Sequence, residues 1–218
     1  MVELLIGGGA ILMLGARWVV RAREKRRAEH RWDHLLSEVA AAREASQGAG
    51  ALKFSRAGSV LELRGDTLGV MVTTRVTELS DGPHEARVTS TAPIEGEGRM
   101  VRFYLAWNHA ASAEFAHVPK IPVPHGQFDG DVQVFAEDRG FAERFVKSAA
   151  IDLIDLRREA CARGLELAIR GGHLTLTTHG ALETRFMIEQ LQIVTAHLCH
   201  ATRRCRDAIG AADALDKD

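Results

Sequence analysis

Apolar residues recur along the chain first at helical spacing, then at every second position, then at helical spacing again. Trp32, Leu35, Leu36, Val39 and Ala42 stand three and four residues apart, the stripe of a helix running from Trp18 to Gln47. The glycines of "QGAG" (Gln47 to Gly50) end it. "SVLELRGDTLGVMVTTRVTEL" then alternates in two runs around Gly65-Asp66, a pair suited to a two-residue hairpin loop. Pairing Arg64 with Thr67 sets Leu63 opposite Leu68 and Leu61 opposite Val70, apolar on apolar. "SDGP" (Ser80 to Pro83) predicts the next turn and "HEARVTSTAP" a third, more polar strand. "RMVRFYLAW" predicts a fourth, with Val101, Phe103, Leu105 and Trp107 on one face, and the four together read as an antiparallel meander.

Residues 108–126 carry Pro119, Pro122 and Pro124 and read as an extended strap across the sheet. In "GDVQVFAED", Val132 and Val134 face one way and Phe135 the other, and Asp138 can cap the helix that follows. Phe141, Phe145, Ala149, Leu153, Leu156 and Ala160 trace that helix, with a break expected near Ser148 and a stop at Gly164. A second hairpin turns at Gly171-Gly172, with Ile169 facing Leu174 and Leu167 facing Leu176. A final helix is expected from Leu182 to Ala208, its seam Met187, Leu191, Val194, Leu198, Ala201 and Cys205. The pattern as a whole predicts an α+β fold: an N-terminal membrane helix and stalk, an antiparallel meander sheet, then strand, helix, hairpin and a long helix packed on the sheet.

The N-terminal stretch departs from this domain pattern. Leu4 to Ala16 is uncharged and spans about 20 Å as a helix, short of the roughly 30 Å hydrocarbon layer. Trp18, Val19 and Val20 lengthen it if Arg17 snorkels to the headgroups. Seven basic residues between Arg17 and Arg31 oppose only Glu24 and Glu29. The positive-inside rule then sets a single-pass topology, N-terminus outside and C-terminal domain cytoplasmic. The membrane-interface residues are Arg17, Trp18, Arg21, Arg23, Lys25, Arg26 and Arg27. A secretory signal carries its charge ahead of the apolar run, and here it follows. Gly7 to Gly9 do not complete a G-x-G-x-x-G, whose third glycine falls on Leu12. A buried helix of the domain is the remaining alternative. The expected organisation is residues 1–20 as membrane anchor, 21–50 as basic helical stalk, 51–209 as α+β domain and 210–218 as disordered tail.

The length, 218 residues, suits one domain with an appendage. The net charge of −1, with the basic collar set aside, leaves the domain mildly acidic, which argues against a nucleic-acid partner. Three cysteines, Cys161, Cys199 and Cys205, all in helical patterns, fit a reducing compartment. Ten histidines raise the question of metal. His30, Asp33 and His34 have helical ligand spacing, as do His197 and His200 beside Cys199, and His109, His117 and His125 share the proline-rich strap. Arginines crowd the first two sets and no motif joins the third, so no metal, cofactor or catalytic residue is expected. Asp152 and Asp155 lie opposite their helix's apolar stripe and read as solvated carboxylates; Thr175, Thr177 and Thr178 read as strand residues on an open face.

Phe128, Val132, Val134, Asp138, Ala142, Leu153, Leu156, Leu174 and Leu176 carry a resemblance over about a quarter of the chain. The stretch resembles the C-terminal half of a family of uncharacterised bacterial membrane-associated α+β domains: a strand F-x-V-x-A/S-x-D, a helix with small residues and leucine, then a hairpin. The leucine pair and proline usual in that helix are replaced here by Val146 and Lys147 to Ala149. The resemblance implies a membrane-anchored bacterial domain and no known activity. The expectation is therefore a membrane-tethered interaction or scaffold module, bound to lipid through its N-terminal helix and to a protein partner through its domain. The alternatives are a module binding a small ligand or lipid headgroup between sheet and strap, and a hydrolase-like metalloenzyme using the loop histidines.

Overall fold

The computed structural model describes residues 19, 22–23, 26–27, 30–41, 44, 53–57, 60–79, 86–94, 101–108, 110–123, 128, 130–159, 162–180 and 184–215. A helix over 30–41 (α1) precedes strands β1 (Lys53–Ala57), β2 (Val60–Thr67), β3 (Val70–Leu79), β4 (Ala86–Pro93) and β5 (Phe103–Trp107). A 3-10 turn, Ala113–Phe115, leads to β6 (Lys120–Ile121) and β7 (Val132–Ala136). Helix α2 (Arg139–Glu159), the hairpin β8 (Ala162–Arg170) and β9 (His173–Gly180), and helix α3 (Arg185–Leu215) complete the fold.

All nine strands form one antiparallel sheet in the order β1-β2-β3-β4-β9-β8-β5-β7-β6. One row of partners crosses its whole width: Phe54, Leu63, Thr74, Ser90, Leu176, Leu167, Leu105, Val134 and Ile121. Helices α2 and α3 pack on each other, α2 on β8 and β7, and α3 on β2, β3, β4 and β9. Between helices and sheet Phe141 and Phe145 stack, and Phe103 meets both edge-on at 6.0 and 5.0 Å. Each such side chain removed from water contributes about 1.5–3 kcal/mol. The centre of this core is not wholly apolar. Gln192 Nε2 on α3 donates to Thr74 Oγ1 (3.4 Å), and Thr74 donates to Ser90 Oγ (3.3 Å).

The antiparallel α+β architecture agrees with the sequence pattern, and so does the second hairpin. Ile169 faces Leu174, Leu167 faces Leu176, and Gly171 and Gly172 take the positive φ angles (54° and 74°) that a two-residue loop needs. Asp138 caps α2: its Oδ1 accepts the Phe141 amide at 2.8 Å. No break occurs at Ser148, which is solvent-facing in an unbroken α2. Helix α3 starts at Arg185 rather than Leu182 and continues to Leu215, into the segment expected as a tail.

The first hairpin turns at Leu68-Gly69, not Gly65-Asp66. Thr67 pairs with Val70, which moves Leu63 opposite Thr74 and Leu61 opposite Val76. The slip is an even number of residues, so Leu61, Leu63 and Val70 stay inward while Leu68 moves into the exposed turn; a period of two fixes the face and leaves the register to other forces. Asp66 Oδ1 accepts the Gly69 amide (3.0 Å), closing the actual turn. The meander holds from β1 to β4, and then β9 and β8 separate β4 from β5. Strand β5 is buried at all five positions: Phe103, Leu105 and Trp107 face the helices, and Tyr104 and Ala106 face the strap. A strand apolar on both faces belongs inside a sheet, with cover on each side.

The second half of the stretch expected as a stalk, 21–50, has its partner face on the domain. Trp32, Leu35, Leu36 and Val39 are buried in the same core as Leu61, Leu63 and Val76, and Asp33 pairs with Arg56 on β1. The domain therefore includes α1 rather than beginning at residue 51. Of the residues expected at a membrane interface, Arg23, Arg26 and Arg27 are helical and exposed. Arg17, Trp18, Arg21 and Lys25 lie outside the described residues, as does the apolar run 4–16. Among the described residues no helix is long and apolar enough to cross a membrane.

Candidate functional site

Strand alternation turns a second set of side chains away from the helices. Thr73, Thr91 and Thr175 are neighbours on β3, β4 and β9; Glu62, Arg75, Thr89, Thr177 and Glu166 form the next row; Arg87 and His179 form a third. Most are half-exposed, the usual state of a sheet surface without a second layer. Within these rows Arg75 Nε lies 2.7 Å from Glu62 Oε2, and the Thr89 and Thr177 hydroxyls are 3.3 Å apart.

Toward β5 the strap packs on this face. Phe115 and Val118 bury themselves against Tyr104 and Ala106, with the Phe115 and Tyr104 rings stacked at 4.6 Å. Glu114 pairs with Arg170, and Arg102 lies over Phe115 within 3.2 Å of His117 Nε2 and 3.5 Å of Glu137 Oε1.

Where strap and open face meet, three side chains from three strands converge. The Tyr104 hydroxyl donates to Glu166 Oε2 (3.0 Å), and His179 Nε2 lies 2.7 Å from Glu166 Oε1. An ionised carboxylate only accepts, so the histidine proton sits on Nε2. The Ser112 amide of the strap donates in turn to the Tyr104 oxygen (3.3 Å). Burial raises the Tyr104 pKa above the ordinary phenol value, reinforced by the Glu166 charge and its hydrogen bond; the Ser112 amide and the Arg87 charge work the other way. Tyr104 therefore remains a donor. The phenol is 2% exposed beneath Phe115, so this network fastens the strap rather than presenting a reacting group. His179, with 27% of its side chain exposed, is the member that reaches the open face.

The residues singled out by spacing do not gather. Asp33 is taken by Arg56, His34 Nδ1 lies 3.4 Å from Glu38 Oε2, and His30 is exposed. His197 Nδ1 reaches Asp152 Oδ1 on α2 (3.5 Å), His200 Nε2 donates to the Leu68 carbonyl (3.0 Å), and Cys199 Sγ donates to the Pro93 carbonyl (3.2 Å). Asp155 pairs with Arg158. His117 meets Arg102, while His109, His125 and Cys161 lie outside the described residues. Among the described residues no three His, Cys, Asp or Glu side chains form a metal-binding group. Burial raises the Cys205 thiol pKa, against the pull of Arg144 and Arg204.

Glu166, His179 and Tyr104 were not singled out by sequence reading. The expected register of the second hairpin already sets Glu166 opposite Thr177, with His179 two residues on, so that half of the network was accessible. Tyr104 was not, because it depends on β5 pairing with β8 across about 60 residues of chain. No family model, no curated protein and no solved structure matches the chain.

Proposed function

We propose that this chain is a membrane-tethered interaction module, held at the cytoplasmic side of a bacterial membrane by its N-terminal apolar run and engaging a protein partner through the uncovered face of its sheet. The observation that carries the reading is the asymmetry of that sheet. One face is buried under three helices; the other is a threonine- and arginine-rich surface with the strap locked along part of it. A polar sheet face of this kind offers hydroxyl donors and acceptors at the fixed spacing of strands and costs little side-chain entropy to engage. The charged side chains Arg75, Arg87 and Glu62, with the His179 imidazole beside them, supply partner discrimination. Tethering supports the same reading, since α1, which follows the basic collar in the sequence, is anchored in the domain core through Trp32, Leu35, Leu36 and Val39.

The test is copurification from native membranes of the full chain and of the double variant Thr91→Arg, Thr175→Arg. Both substitutions fall on half-exposed neighbouring positions and leave the core untouched. The variant is expected to melt at the parent temperature and to lose its partner. A partner retained in full by a folded variant contradicts this face as the docking surface.

A further inference from the structure

We propose that one end of the sheet, marked by Phe186, lies against the lipid bilayer, while the Leu68-Gly69 and Gly171-Gly172 turns point away from it. This rests on the membrane-tethered reading above and adds an orientation to it.

The direction of α1 sets which end is which. Asp33, in its first turn, pairs with Arg56, the next-to-last residue of β1, so α1 starts beside the β1–β2 turn. Residues 19, 22, 23, 26 and 27 before it are helical. Trp32 is itself 4% exposed and part of the domain core, so the chain enters the core at this end of the sheet.

The strand registers show what else occupies this end. Ala57 with Val60, Leu79 with Ala86, Ala162 with Gly180 and Trp107 with Val132 are the terminal pairs there. Helix α3 begins at the same end. Gln192 reaches Thr74 in the middle of β3, Cys199 reaches the Pro93 carbonyl, and His200 reaches the Leu68 carbonyl at the opposite end. Phe186 precedes Gln192 by almost two turns, about 9 Å back toward the α1 end.

Phe186 is 53% exposed and is the single aromatic among the exposed large apolar side chains of the described residues. A lone exposed phenylalanine on a water-facing surface has no need of explanation. One on the end from which the chain leads into an apolar, Trp-bearing run sits where aromatic rings partition favourably, at the headgroup layer. The exposed collar residues Arg23, Arg26 and Arg27 match that layer with positive charge. Lipid is thus the occupant fitted to both the chemistry and the chain direction.

The experiment uses the full chain in vesicles of phosphatidylethanolamine and phosphatidylglycerol. A photoreactive benzoylphenylalanine replaces Phe186 in one preparation and Leu68 in another. After flotation and illumination, a lipid adduct is expected at position 186 and none at 68. A chain that floats but forms its lipid adduct at 68, at neither position, or at both equally overturns the orientation. Cross-linking of position 186 to a second copy of the chain overturns it too, by showing a protein occupant. A chain that fails to float overturns the tethered reading itself, and the orientation with it.

Discussion

Tyr104 is the chain's single tyrosine, so ultraviolet absorbance reads its ionisation alone. Burial and the Glu166 carboxylate hold its pKa above the ordinary value of 10.0. In the folded chain the phenolate signal is therefore expected only above the usual phenol range, and Glu166→Gln is expected to bring it back toward that range. A normal titration of the folded parent contradicts the buried network. The linkage has a definite sign. Above pH 10 the unfolded chain releases the phenol proton while the folded chain keeps it, so stability present below pH 10 falls as pH rises through the raised folded pKa. Tyr104→Phe should flatten that alkaline decline in a series of denaturant titrations. A second expectation concerns Leu68, which holds a φ of 56° while 54% exposed. A branched L-residue pays roughly 1–2 kcal/mol for that conformation, and asparagine pays less. Leu68→Asn should stabilise the fold by about 1 kcal/mol in urea titrations; destabilisation means that the side chain makes contacts outweighing the strain.

At the scale of elements, the helices were legible wherever a stripe had a sheet to meet. Phe141, Phe145, Leu153 and Leu156 on α2, and Leu191, Val194 and Leu198 on α3, are buried as their spacing implies. Leu198→Asp should lower stability by several kcal/mol, against a typical total of about 5–15, whereas the exposed Arg204→Asp should be nearly silent. Equal losses in thermal melts contradict the packing of α3. The two hairpins show where legibility ends. Gly171-Gly172 carries its loop chemistry in the sequence. Leu68-Gly69 is held by two groups: Asp66, whose carboxylate accepts the Gly69 amide, and His200, 132 residues away, whose imidazole donates to the Leu68 carbonyl; the second is invisible to local pattern. The candidate site divides in the same way. Glu166 and His179 follow from the neighbouring register of one hairpin, while Tyr104 and the strap join them only through the non-local insertion of β9 and β8 between β4 and β5.

At the scale of the whole molecule, α1 joins the N-terminal segment to the domain. Its buried face, Trp32, Leu35, Leu36 and Val39, belongs to the domain core, while the apolar run and basic collar before it have the character of a tether. The two roles are separable by truncation. Removing residues 1–27 spares the buried stripe; removing residues 1–50 deletes it and leaves the apolar sheet surface beneath α1 in water, at a cost of about 1.5–3 kcal/mol for each large side chain lost. Flotation of the full chain and the 1–27 deletion with phospholipid vesicles, each followed by a thermal melt, tests this directly. The full chain should float and resist carbonate extraction, and the deletion should remain with the aqueous fraction and still melt cooperatively. A full chain that stays out of the vesicle fraction, or a 1–27 deletion that no longer folds, contradicts the division of the chain into tether and domain.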